Sequence, residues 1–421
     1  MRCTDRTRSE DAGRPAGGSP VHLDAAFKAD APNRYEALRR QGPVHRAELY
    51  PGLYGWLVVD YDLAREALTH PALLKDPSPA ADALAAADFV LNKPGVGLGG
   101  HMLEADGQDH TRLRRLVSGV FTPHRTAGLA PRVRQIAEDL IDAMASRGTA
   151  DLVESFTAPL PMTVIAELLS IPDEHRARFR LWSRKALDTA AEDHRSSVAG
   201  LHGLVRRLID EKRARPQDDL ISALVGARDE DDGRLTDEEL VGTCILMVIA
   251  GHDTTVNLLG NALLGLLRDP AQLRLLEGTP DLIPGAVEEF LRYDSSVEVA
   301  SHRYAARDLE LGGHFIPRGS IVGIALWSAN RDAPMPAGEA PSVLDVSRPA
   351  ARHLAFGHGI HHCLGAPLAR LEATTGLEVL LRRIPGLEAA VPLDEIDWIP
   401  SGMIRGPLSL PVRYGPVLPR G

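Results

Sequence analysis

A mainly α-helical single domain with a small β region is the fold class this sequence predicts. Three observations carry it. Apolar residues recur at helical spacing through most of residues 108–293. Short runs bounded by Gly and Pro, the mark of strands and turns, gather near residues 44–59, from residue 295 onward and again near the C-terminus. No internal repeat and no break in composition marks a second domain. Residues 21–421 therefore read as one unit, and residues 1–20, rich in Arg, Ser, Asp and Gly, as a disordered arm.

Composition narrows the function classes. A net charge of −10 argues against nucleic acid as a partner for the whole surface. The three cysteines, Cys3, Cys244 and Cys363, suit a reduced, cytoplasmic chain better than a disulfide scaffold. The arm lacks the apolar core of a signal peptide. No apolar run approaches the ~20 residues of a membrane span, so no membrane partner is expected.

Taken in order, residues 32–40 read as a helix, and Val44–Tyr50 and Gly55–Val59 as a hairpin around Pro51-Gly52. Residues 62–68 return to helix. Residues 71–100 form a long irregular stretch, which in a compact domain points to a lid or binding loop as readily as to a surface connector. Residues 108–120 are helical, and His110 and Arg114, four apart, share a face. Two cations so placed can clamp carboxylates or simply face solvent. Helices follow at 125–147, 160–169, 173–190 and 196–214.

The most strongly marked helix begins after Thr236, where Thr236 and Glu239 form a capping box ahead of a long apolar run. The run is apolar nearly all round and so should be buried. Its middle nevertheless reads Ala250-Gly251-His252-Asp253-Thr254-Thr255. Gly, Asp and Thr are poor helix-interior choices, and a buried carboxylate is costly unless satisfied. An acid, a hydroxyl and a small residue at one point predict a bent helix with a polar notch beside a cavity.

Residues 280–293 form a further helix in which Glu289 and Arg292 are three apart and can pair. Strand-like runs follow from residue 295, then a Pro-rich irregular segment over 330–352. This leads into Phe356–Gly365, FGHGIHHCLG, just before a helix over 367–383. Gly357, Gly359 and Gly365 are candidates for positive φ, and Pro367 suits a first helical turn. The loop sets Cys363 near a helix N-terminus, which favours a thiolate. On these residues alone that thiolate is a nucleophile, a zinc ligand or a haem ligand. His353, His358, His361 and His362 lie close by, but a single Cys makes a poor zinc set.

Together these stretches resemble the cytochrome P-450 family, and within it the soluble bacterial monooxygenases. Phe356, Gly359, His361, Cys363 and Gly365 match the family pattern Phe-x-x-Gly-x-His/Arg-x-Cys-x-Gly. Glu289-x-x-Arg292, Ala250-Gly251-x-Asp253-Thr254, His110-x-x-x-Arg114 and Arg303 match further family motifs in family order, from about residue 20 to the end. The chain departs from the family at Asp106-Gly107-Gln108, where Asp-Pro-Pro is usual, and after Asn330-Arg331-Asp332, where the usual Pro and Phe positions are missing.

The resemblance implies a triangular, prism-like fold with haem b (iron protoporphyrin IX) between the long helix and the cysteine-loop helix. It implies Cys363 as the axial thiolate, with Phe356, Gly357 and Gly365 shaping its loop, and His110, Arg114, Arg303 and His361 on the two propionates. Glu289 and Arg292 become a buried structural pair. Asp253 and Thr254 manage protons, Gly251 leaves room for dioxygen, and His252 supports its neighbours or packs, with no catalytic role. Candidate pocket residues are Phe89, Val90, Leu91, Leu246, Ala250, Val297, Val299, Ala300, Met403 and Ile404. The implied activity inserts one oxygen atom of O2 into an apolar natural product such as a polyketide, macrolide or terpenoid. Oxidative coupling and a non-catalytic haem-binding protein are the alternatives. Electrons would come from NAD(P)H through a separate ferredoxin and ferredoxin reductase, docking near Arg112, Arg115 and Arg352.

Overall fold

A computed structural model describes residues 19–87, 100–120, 122–187, 193–230, 235–336, 339–349 and 352–420. Nearly all of the expected arm and the candidate pocket residues Phe89, Val90 and Leu91 lie outside them. Helices dominate, and the strands form a six-stranded mixed sheet, a three-stranded sheet and a two-stranded hairpin. In the largest sheet, Val44–Tyr50 and Leu53–Val58 pair antiparallel around Pro51-Gly52. Leu53–Val58 then runs parallel to Ile321–Ile324, which pairs antiparallel with Arg303–Ala305. That last pairing places Arg303 at a buried sheet position.

The helix Asp237–Arg268 is the axis of the molecule. Both halves of its capping box are made: Glu239 N–H donates to Thr236 Oγ1 at 3.1 Å, and Thr236 N–H to Glu239 Oε2 at 2.8 Å. It packs on Pro159–Leu168, on His194–Ala214, on Ile283–Tyr293 and on the helix that follows Cys363, Ala366–Arg383. Gly376 allows the last of these contacts. A Cβ there would lie 3.0 Å from Leu160 Cδ2 and 3.4 Å from Leu259 Cδ2. By length and hydropathy the long helix passes as a membrane span, which its broken-up sequence had hidden, but 56% of its most apolar window is buried inside the fold. That is what the core helix of a packed domain gives.

Several boundaries differ from the sequence reading. The helix expected over 125–147 is two, Pro123–Gly128 and Ala130–Met144, with Leu129 as the joint and Pro131 in the first turn of the second. The helices Leu220–Glu230 and Pro270–Gly278 were not anticipated. Residues 295–302, read as strand-like, contribute one isolated bridge, Val297 to Ile404. The long helix is a single α-helix through residues 250–255.

Candidate active site

The long helix opens where its sequence turns polar. Val248, His252 and all of Thr255–Leu264 are buried, whereas Leu246, Asp253 and Thr254 are half-buried and Ala250 is exposed. Leu246, Ala250 and Thr254 are spaced by four and share one face, so that face borders open space. Thr254 Oγ1 donates to the Ala250 carbonyl at 2.9 Å. Its lone pairs remain available to accept. Asn257 Nδ2 donates to the Asp253 carbonyl at 2.7 Å, and Asn257 is held in turn by Gly406, where a Cβ would fall 1.8 Å from Asn257 Oδ1. Asn257 was missed in the sequence, although its place four residues beyond Asp253 was the available signal.

At Gly251 an added Cβ would lie 3.1 Å from Ile165 Cδ1, so the glycine also allows close packing against Pro159–Leu168. Val299 needs correction. It is 1% exposed in the core cluster with Leu57 and Trp327, because its backbone N–H faces the Met403 carbonyl at 3.2 Å and turns the side chain inward. Val297, Ala300, Met403 and Ile404 are half-buried.

The cysteine loop is built by its glycines. Gly357 has φ +75° and Gly359 φ +77°, whereas Gly365 has φ −80° and is the N-cap of Ala366–Arg383. Gly365 therefore does not supply the expected left-handed turn. It and Ala366 donate backbone N–H groups to Cys363 Sγ. The loop closes through Cys363 N–H to the Phe356 carbonyl at 2.9 Å and Gly357 N–H to the Leu354 carbonyl at 2.7 Å. Cys363 is exposed, yet protein rings its sulfur. That burial of the sulfur pushes the thiol pKa up, against the two amides and the Arg114 and Arg370 charges. At Gly359 a Cβ would sit 2.6 Å from Thr69 Cγ2. Gly359→Ala adds this clash to about 1–2 kcal/mol of left-handed strain, so haem content per chain is expected to fall severalfold.

Four donors gather on the same side. The His110 and His361 rings are in contact, with centroids 4.2 Å apart and planes tilted by 52°. Among the described residues His110 Nε2, His361 Nε2 and Arg303 Nε are buried without a hydrogen-bond partner. Arg114 Nη2 donates to the His362 carbonyl at 2.7 Å, tying the His110 helix to the loop. Burial, then the neighbouring His361 and Arg114, holds His110 at about 4, and burial holds Arg303 at about 10. Each buried polar atom left without a hydrogen bond costs about 1–3 kcal/mol. A dianionic group beside a thiol is what this set would satisfy, and it fits the two propionates and iron of haem. Asp106 accepts from the backbone N–H of Lys75 and Asp76 at 2.8 Å each and lies 4.0 Å from His361 Nε2. The next residue, Gly107, has φ +57°, which the proline usual in the family cannot adopt.

A further tie was not foreseen. Glu288 accepts two bonds from Arg370, at 2.6 and 2.9 Å, and one from His353 at 3.2 Å. Arg370 lies over the Phe356 ring at 4.6 Å. Burial opposes the Glu288 charge, but these partners outweigh it and hold the carboxyl at about 2. A depressed carboxylate pKa stabilises fully above its unfolded value of about 4.3, and that contribution is lost as pH falls toward 2. In Glu288→Gln, acid unfolding is expected to lose this limb between those two values. A stability–pH curve identical to that of the parent would refute the tie. Arg112, which the sequence reading placed at a docking patch, pairs with Glu239 at 2.6 Å.

Known proteins resemble this chain along most of its length. The Cytochrome P450 family model matches residues 162–277 and 281–385. Cytochrome P450 monooxygenase PikC of Streptomyces venezuelae is 45% identical over 405 residues, 94% of this chain and 95% of that protein. Polyketide biosynthesis cytochrome P450 PksS of Bacillus subtilis (strain 168) is 39% identical over 383 residues, 89% and 93% of the two chains. The structure of the tirandamycin C-bound P450 monooxygenase TamI superposes with a TM-score of 0.85 at 40% identity, covering 94% of this chain and 100% of that one. The chain belongs to the cytochrome P450 family, the haem b monooxygenases that work with redox partners and O2.

Proposed function

We propose that this enzyme hydroxylates or epoxidises a bulky apolar product of polyketide assembly in the cytoplasm, with electrons from a ferredoxin and ferredoxin reductase. The observation that supports the reading is the grouping near Cys363 of the buried His110, His361 and Arg303 nitrogens, which lack hydrogen bonds among the described residues. When bound, haem supplies reductive activation of O2 and insertion of one of its atoms into a C–H or C=C bond. Substrate, O2, two electrons and two protons give the oxygenated product and water.

The chain's own residues would bind, shield and supply protons. Cys363 holds the iron, its sulfur charge eased by the Gly365 and Ala366 amides. His110, Arg114, Arg303 and His361 take the propionates. Thr254, whose hydroxyl hydrogen is spent on the Ala250 carbonyl, accepts a bond from an incoming water and orders it. Asp253 brings protons from the solvent side. Leu246, Ala250, Val297, Ala300, Met403 and Ile404 offer no charge to a substrate, which supports an apolar scaffold. The name of PksS and the ligand of TamI point the same way.

A spectral-shift screen of the purified haem protein tests the substrate class. Polyketide macrolactones are expected to shift the haem spectrum saturably and to be oxidised when ferredoxin and reductase are added. Shifts with fatty acids or peptides alone would reject the class.

A further inference from the structure

His252 stands beside Asp253 in the long helix and is 2% exposed. Its Nδ1 lies 2.6 Å from the Val248 carbonyl oxygen. A carbonyl only accepts, so Nδ1 carries a hydrogen. In a neutral ring Nε2 would then be a bare lone pair. Yet Nε2 lies 3.3 Å from Asp253 Oδ1. A lone pair facing a carboxylate repels it, and the contact becomes attractive only when a proton lies between the two. Neighbouring residues of a helix do not ordinarily face each other, so Asp253 has turned toward His252. The pair also has an inside and an outside, since the His252 side chain is 3% exposed and that of Asp253 27%.

We propose that His252 is a positioning residue for proton delivery: anchored on the Val248 carbonyl, it is an imidazolium paired with the Asp253 carboxylate and holds that carboxylate one residue from Thr254. The electrostatics agree. Burial disfavours the charged ring, but the Asp253 charge, the hydrogen bond to it and the Val248 carbonyl together raise the His252 pKa above its ordinary value. Asn257 fixes the Asp253 backbone carbonyl, so both ends of Asp253 are held. One proton leaves the pair through Asp253 toward Thr254, and one is taken up from water at the exposed edge of Asp253. The pair returns to its starting charge.

This inference rests on the proton-delivery reading of Asp253 and Thr254, and the test separates the two. In the full-length ferrous carbon-monoxide form, which is diamagnetic, nitrogen NMR of labelled histidine at neutral pH is expected to show both His252 ring nitrogens protonated. In Asp253→Asn only Nδ1 should keep its hydrogen. A bare Nε2 in the parent protein overturns the pairing. In turnover, His252→Phe is expected to keep haem and the substrate-induced spectral shift while product formed per NADPH falls about tenfold. His252→Gln, whose amide can still donate to Asp253 but carries no charge, should recover part of that loss. If Asp253→Asn uncouples and His252→Phe does not, the pairing fails alone. If neither uncouples, the proton-delivery reading fails with it.

Discussion

Glu289→Ala is expected to destabilise the protein by about 3–5 kcal/mol and to strip it of haem. Glu289 is 3% exposed and Arg292 0%. The carboxylate receives Arg292 Nε at 2.7 Å and Nη2 at 2.8 Å, Arg348 Nε at 3.2 Å and the Asp345 backbone N–H at 3.1 Å. Arg292 in turn donates to the Pro341 carbonyl at 2.6 Å and the Val343 carbonyl at 3.3 Å. Removing the carboxylate would leave the buried Arg292 guanidinium without a counter-charge and Arg348 with Glu339 as its remaining partner. It would also loosen the irregular segment that leads to the cysteine loop. Denaturant unfolding and haem content per chain measure the effect. A variant within 1 kcal/mol of the parent with full haem content would show that the pair does not hold that segment.

Thr254→Ala should keep haem, fold and substrate binding, and lose coupling. Among the described residues the hydroxyl bonds only to Ala250 within its own helix, so its loss removes no described contact between elements. Thr255 is 2% exposed and cannot reach the cleft in its place. NADPH oxidation should continue while product per NADPH falls by about tenfold or more, the balance of electrons leaving as hydrogen peroxide. Unchanged coupling would refute the role given to Thr254.

Much of this was legible in the sequence because single residues carry strong local rules. The Thr236–Glu239 capping box marked the start of the long helix. Pro51-Gly52 marked the hairpin. Cys363, His110, Arg303 and His361 carry the spacing and order of a family, and the fold brings His110 and His361 into contact across 251 positions of sequence (361 − 110). What escaped were directions and partners. Gly251, Gly365 and Val299 were each read by residue type. Their roles depend on where Cα–Cβ points and on what lies opposite, namely Ile165 for Gly251 and the core around Trp327 for Val299. The third partner of the Glu289 pair, Arg348, lies 59 residues away, and no local pattern announces it. His252 was read as packing or as support for its neighbours, with no catalytic role. Only the two distances to Val248 and Asp253 give it a task.

The central claim is that Cys363 is the haem thiolate. Carbon-monoxide difference spectroscopy of the reduced protein tests it most directly. The wild-type protein is expected to show the thiolate-ligated band, and Cys363→His, if it retains haem, the band of histidine-ligated haem. A histidine-type band in the wild-type protein, with His353, His358, His361 and His362 close to Cys363, would contradict the account.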